Sequence, residues 1–149
     1  MAMAERRADV VWEGGLNEGA GHVTGSTSGA LGDLPVTWAA RTTEAHGGRT
    51  SPEELVAAAH ASCFSMALSA ELGKAGHPPE RLDVSATVTL DTVGGAPTVS
   101  RCALAVRGRV PGIDAAAFEQ AAQGAGRNCP ISRLLAGGSA ELTVDATLT

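Results

Sequence analysis

The sequence predicts an α+β fold in which antiparallel strands pack around one long central helix. Three observations carry this: several segments alternate apolar and polar residues, one run from Ser51 to Gly73 has helical spacing, and glycine-rich turns separate the alternating segments. A chain of 149 residues fits one such domain, and no internal repeat or linker divides it.

Taken in order, Ala8 to Trp12 alternates so that Ala8, Val10 and Trp12 share a side, and Gly14, Gly15 and Gly19 turn the chain. His22 to Thr27 reads as a weaker second strand. Val36 to Arg41 is expected as a third, with Val36, Trp38 and Ala40 on one side and Thr37, Ala39 and Arg41 on the other. A loop from Thr42 to Thr50, containing Gly47 and Gly48, leads into the helix. Ser51 is a good N-cap, Pro52 suits the first helical position, and Glu54 can reach back to the Ser51 N–H. Leu55, Ala59, Cys63, Met66 and Ala70 then follow at helical spacing and are expected to form one face.

Gly73 or Gly76 should stop this helix, and His77-Pro78-Pro79 prevents its continuation. Leu82 to Leu90 and Thr98 to Val110 alternate as two strands joined through Gly94-Gly95-Ala96-Pro97; Cys102, Leu104 and Val106 share a side of the second. Asp114 caps a helix expected from Ala115 to about Gly124, with Phe118, Ala121 and Ala122 apolar. Cys129 begins a shorter helix, with Pro130 at its first position and Gly137-Gly138 at its end. Ala140 to Leu148 alternates as a final half-buried strand.

Hydrophobic residues make up 44% and charged residues 18%, with a formal net charge of -5, which argues against a nucleic-acid-binding face. The segment MAMAERRADV has no apolar run after its arginines. Neither a secretory signal nor a membrane span is expected, and a cytoplasmic location is the default. Nineteen glycines, two phenylalanines, two tryptophans and no tyrosine imply a core of Val, Leu and Ala with modest area per residue. A second copy is therefore expected to bury further surface, as a homodimer. Three cysteines are too few for a disulfide framework and point to thiol chemistry or plain burial.

A cysteine on a helix face is often only a small buried hydrophobe, so Cys63 alone proves little. Cys129 at a helix start has N–H groups and positive potential that favour a thiolate, and by this local argument it ranks above Cys63. Cys102 reads as structural. His60 could share a face with Cys63 as a cysteine–histidine nucleophile, or it could simply fill the core. A zinc site from Cys63, His60, Cys129 and a carboxylate is conceivable, but no compact metal motif is present. Glu53 lies in the first helical turn, about 15 Å along the axis from Cys63 at roughly 1.5 Å per residue, so it could act there only through a longer side chain such as arginine.

Ser51-Pro52-Glu53-Glu54-Leu55 with Ala58-Ala59-His60-Ala61-Ser62-Cys63-Phe64-Ser65-Met66-Ala67-Leu68 resembles the first cysteine motif of the OsmC/Ohr family of organic hydroperoxide reductases. Asn128-Cys129-Pro130-Ile131-Ser132-Arg133 resembles the second. The Ala-His-Ala-Ser-Cys wording is more similar to the OsmC branch than to the Ohr branch. The resemblance implies an OsmC-like fold, an intertwined homodimer, and thiol-dependent reduction of organic hydroperoxides, with hydrogen peroxide reduced more weakly. It implies Cys63 as the peroxidatic and Cys129 as the resolving cysteine, and a dithiol such as reduced lipoamide, on a lipoylated protein, as the reductant. A catalytic arginine held by a glutamate corresponds to Arg41 and Glu53; Arg49 is the other arginine available for that place. No bound cofactor or metal is implied, and Met66 and Phe64 are candidates for an apolar pocket. A redox sensor or binding module without turnover, and a Cys63/His60 thiol-transfer or hydrolytic enzyme, are the alternatives.

Overall fold

The described part of the chain, residues 1–138 of a computed structural model, forms nine helices and strands and divides into two compact units. One comprises Met1–Val56 with Thr89–Ser100, the other Ala57–Val88 with the chain from Arg101. The expected strand from Ala140 to Leu148 lies outside the described residues.

In the first unit, β1 (Ala8–Glu13), β2 (Ala20–Ser26) and β3 (Leu34–Val36) form an antiparallel sheet in that order. The pairing of β1 shifts between Asp9 and Val10, a bulge, and Trp12 lies opposite Gly21. The expected third strand is cut short. It ends at Val36, and Trp38–Thr42 is a short helix, α1. The reason is local: the Thr37 hydroxyl caps α1 by accepting from the Ala40 N–H at 3.0 Å, and Thr42 and Thr43 hydroxyls donate back to the carbonyls of Trp38 and Ala39. Trp38 and Arg41, expected on opposite sides of a strand, instead share a helical face.

Helix α2 runs from Pro52 to Lys74. Ser51 Oγ accepts the Glu54 N–H at 3.1 Å, as the cap requires. The Glu54 carboxylate does not turn back to Ser51, as expected of a capping box, but accepts the Thr50 hydroxyl at 2.6 Å. At the other end Gly76 has φ +82°, and the His77 and Gly76 N–H groups bond the Leu72 and Gly73 carbonyls at 2.9 and 3.0 Å. This is a Schellman stop, and glycine takes its left-handed position without a Cβ clash.

The buried face of α2 differs from the expected one. His60, Phe64, Leu68 and Leu72 are buried, whereas Ala59, Met66 and Ala70 are exposed and Cys63 is half-buried at the margin. Nearly every position in this Ala-rich helix is small or apolar, so spacing alone defines no sharp face. The same composition makes α2 long and apolar enough to cross a membrane, against the sequence expectation. Its side chains Phe64, Leu68 and Leu72 belong to the buried core of the second unit.

Strands β4 (Arg81–Val93) and β5 (Ala96–Arg109) form an antiparallel pair joined at Gly94-Gly95. Leu82, Val84, Leu104 and Val106 pack onto Phe64, Leu68 and Leu72, the alternation the sequence predicts. Helix α3 (Ala115–Asn128) starts at Asp114, which accepts the Ala117 N–H at 2.8 Å, and it continues past Gly124 to Asn128. Phe118, Ala121 and Ala122 face the core, with Ala125 and Cys129 fully buried beside them. Gly108 of β5 admits the Phe118 ring: a Cβ there would stand 2.6 Å from Cε2. Cys129 ends α3 and begins α4 (Pro130–Leu135).

Candidate active site

In the first unit, the N-terminal turn of α2 and helix α1 bring Glu53 and Arg41 together. Arg41 Nε donates to both Glu53 oxygens at 3.0 and 3.1 Å, and Nη2 donates to Oε1 at 2.7 Å. The Glu53 residue is only 8% exposed, so the fork of the guanidinium is the partner that makes burial of its carboxylate tolerable. Arg41 also lies over the Trp38 ring, 5.7 Å from its centroid. Arg49 is exposed and makes no ion pair among the described residues. A cavity of 290 Å³ adjoins Arg41, with Trp38, Leu90 and Pro97 as its apolar wall and Asp91 and Thr92 beside them.

In the second unit, α2 presents Cys63 and the α3–α4 junction presents Cys129, and Cys63 packs against the buried cluster that includes Cys129. Both are free. Burial pushes the Cys63 thiol up, opposed by the Ile131 N–H and reinforced by the neighbouring Cys129. Burial also opposes ionisation of Cys129, but the Ser132 N–H, the Cys63 thiol, the Ser132 hydroxyl and the Ile131 N–H together outweigh it and hold Cys129 below the ordinary thiol value. The Cys129 side chain makes no capping hydrogen bond to α4. Cys129 is fully buried and Cys63 only half-buried.

His60 does not pair with Cys63. Its Nδ1 lies 2.8 Å from Cys102 Sγ and its Nε2 lies 2.8 Å from Ser132 Oγ. The cysteine–histidine nucleophile is thus not formed, because α2 turns His60 into the core while Cys63 sits at its edge. Both ring nitrogens are occupied, which also removes His60 from the conceivable zinc set; no group of three metal-binding side chains occurs among the described residues. Of the two candidates for an apolar pocket, Phe64 is buried in the core and Met66 is 70% exposed. Sequence reasoning missed Ser132 and the contact of Cys102 with His60. The spacing of Ser132, one turn after Cys129 on α4, was the available signal for the first.

Residues 45–145 match the family described as OsmC-like protein. Over 143 residues the chain is 41% identical to peroxiredoxin OsmC of Escherichia coli, covering 96% of each chain. The chain belongs to the OsmC-like protein family. Two solved structures share the fold of this OsmC-like chain at lower identity. The organic hydroperoxide resistance protein OhrB of Bacillus subtilis is 23% identical with a TM-score of 0.62, over 88% of this chain and 91% of that one. An organic hydroperoxide resistance protein OsmC from Legionella pneumophila is 23% identical with a TM-score of 0.64, over 93% of both.

Proposed function

We propose that the chain is a cysteine-based peroxidase of the peroxiredoxin type that reduces organic hydroperoxides, and hydrogen peroxide more weakly, through Cys63 and Cys129. Two free thiols brought together, Cys63 packed against the cluster that holds Cys129, carry this reading. Cys63, less buried than Cys129, is the sulfur a peroxide can reach, so it attacks the peroxide oxygen: an S–O bond forms, the O–O bond breaks, and the alcohol leaves with a proton. Cys129 then attacks the sulfenic sulfur, forming the Cys63–Cys129 disulfide and releasing water. An external dithiol such as reduced lipoamide restores both thiols and leaves as its own disulfide.

Arg41, fixed by Glu53, takes the role of the cation that favours thiolate and orients the peroxide, as the family resemblance implies. Residues 1–149 act as one OsmC-like domain, a reading supported by a family match that draws on residues of both compact units. The protein is taken to work as a homodimer in the cytoplasm; Val10 and Val11, 58% and 52% exposed, offer apolar surface for a second copy.

Mixing the reduced protein with tert-butyl hydroperoxide and counting thiols tests the reading. Two thiols per chain should disappear, one disulfide should join Cys63 to Cys129, and Cys63→Ala should abolish turnover. Full peroxide reduction by Cys63→Ala would overturn it. Cys129→Ala should still form sulfenic acid at Cys63 but no intramolecular disulfide.

A further inference from the structure

His60 is 4% exposed, and the thiol reaction described above makes no use of it. Its ring joins three elements of the second unit: Nδ1 lies 2.8 Å from Cys102 Sγ on β5, and Nε2 lies 2.8 Å from Ser132 Oγ on α4. On α2 His60 precedes Cys63 by three residues, and on α4 Ser132 follows the N-cap Cys129 by three. We infer that the His60–Ser132 contact is a clasp between α2 and α4 that positions Cys129 to close a disulfide on Cys63. The inference deepens the peroxidase reading and rests on it for the step it assists.

Three residues span about 4.5 Å of helix at roughly 1.5 Å per residue and carry the chain nearly once round, so on each helix the clasping side chain and the cysteine are neighbours. In α4 that turn is closed by the Arg133 N–H, which donates to the Cys129 carbonyl at 3.0 Å and ties the clasp to the cysteine through backbone. Cys63 packs against the buried cluster to which Cys129 belongs, which puts both thiols beside the same α2–α4 contact. A neutral imidazole has one donor and one acceptor nitrogen, whereas a thiol or a hydroxyl can do either, so both ring contacts hold in either tautomer. Cys102 thus steadies the ring from the side opposite Ser132. With His60 buried, removing the Ser132 hydroxyl leaves Nε2 without a partner, and solvent is poorly placed to replace it.

Disulfide closure is the step that needs this alignment. Cys129 attacks the sulfenic sulfur of Cys63: the S–S bond forms, the S–O bond breaks, and the hydroxyl leaves as water with the proton that Cys129 gives up. One side chain attacks another at a rate set by how well the two are held within reach, and a hydrogen bond one turn away on both helices restricts their relative motion. The earlier oxidation of Cys63 has no such requirement, because the peroxide diffuses to it.

Equilibrating the full reduced chain with oxidised dithiothreitol tests the clasp without peroxide. Two protein thiols become the Cys63–Cys129 disulfide, identified by peptide mass, while the cyclic reagent disulfide is reduced to its dithiol, so the equilibrium constant reports how well the pair is held together. Ser132→Ala should lower that constant roughly five- to tenfold, the scale of one intramolecular hydrogen bond. Ser132→Thr, which keeps the hydroxyl, should restore it. An unchanged constant in Ser132→Ala overturns the inference. Given tert-butyl hydroperoxide, Ser132→Ala should oxidise Cys63 at the unmutated rate but close the disulfide more slowly, so that dimedone traps more sulfenic acid. Equal slowing of both steps is a general loss of structure and overturns the positioning role. His60→Phe, which keeps a ring without nitrogens, should lower the dithiothreitol constant, and adding Ser132→Ala should lower it no further; additive losses overturn the clasp. If hydroperoxide oxidises no thiols while the dithiothreitol pattern holds, the peroxidase reading fails and the clasp stands.

Discussion

Cys63 and Cys129 differ because of what meets each sulfur. The sequence ranks Cys129 as the better thiolate from its place at a helix start, and the surrounding N–H and hydroxyl groups act in that direction. Exposure favours the opposite cysteine, Cys63, for attack. Glu53 is a second residue whose surroundings define its behaviour. Glu53→Gln removes the charge that three Arg41 hydrogen bonds converge on, and should cost about 2 kcal/mol of unfolding free energy in urea denaturation. His60 gives a pH dependence of definite sign. Burial lowers its folded value below 6.5, so between that lowered value and 6.5 the unfolded chain binds the extra proton. Stability contributed by neutral His60 is intact above 6.5 and is lost as pH falls through this window. Calorimetry should find a steeper loss of Tm there for the unmutated chain than for His60→Gln.

Elements with strong local chemistry were legible, and those that depend on packing were not. The caps Ser51 and Asp114, the stop at Gly76 and the hairpin at Gly94-Gly95 all follow from short-range hydrogen bonding or backbone freedom. Asp114→Ala should therefore destabilise by about 1 kcal/mol, measured as a lower denaturation midpoint. The misread segment at Val36 to Arg41 shows the limit of a period-two pattern only a few residues long: a capping Thr37 served a helix equally well. The α2 face was misjudged because alanines dilute the periodicity. Gly108 belongs to the same lesson, since only the Phe118 ring packed on β5 explains it. Gly108→Val should push that ring away and cost about 1–3 kcal/mol in thermal or denaturant unfolding.

At the scale of the whole molecule, the chain contributes α2, β4 and β5 to both compact units. The exposed apolar side chains of β1 include Trp12 at 41%, a large amount of unburied surface for a protein with two tryptophans. If a second copy covers β1, light scattering should give twice 14.9 kDa, and a charge at the strand, Val11→Lys, should shift the mass toward a single chain.

The sequence by itself determined the α+β class, the long helix with its caps, the β4–β5 hairpin and, through two extended motifs, membership of the OsmC family. Each rests on interactions among near neighbours in the chain or on residue patterns long enough to be specific. Only the tertiary structure decided that Arg41 holds Glu53, that His60 turns from Cys63 to Cys102 and Ser132, and that Cys129 is fully buried where Cys63 is only half-buried. Those outcomes depend on which side chains from distant segments meet at hydrogen-bond distance, and on how burial weighs against the donors that meet each charge.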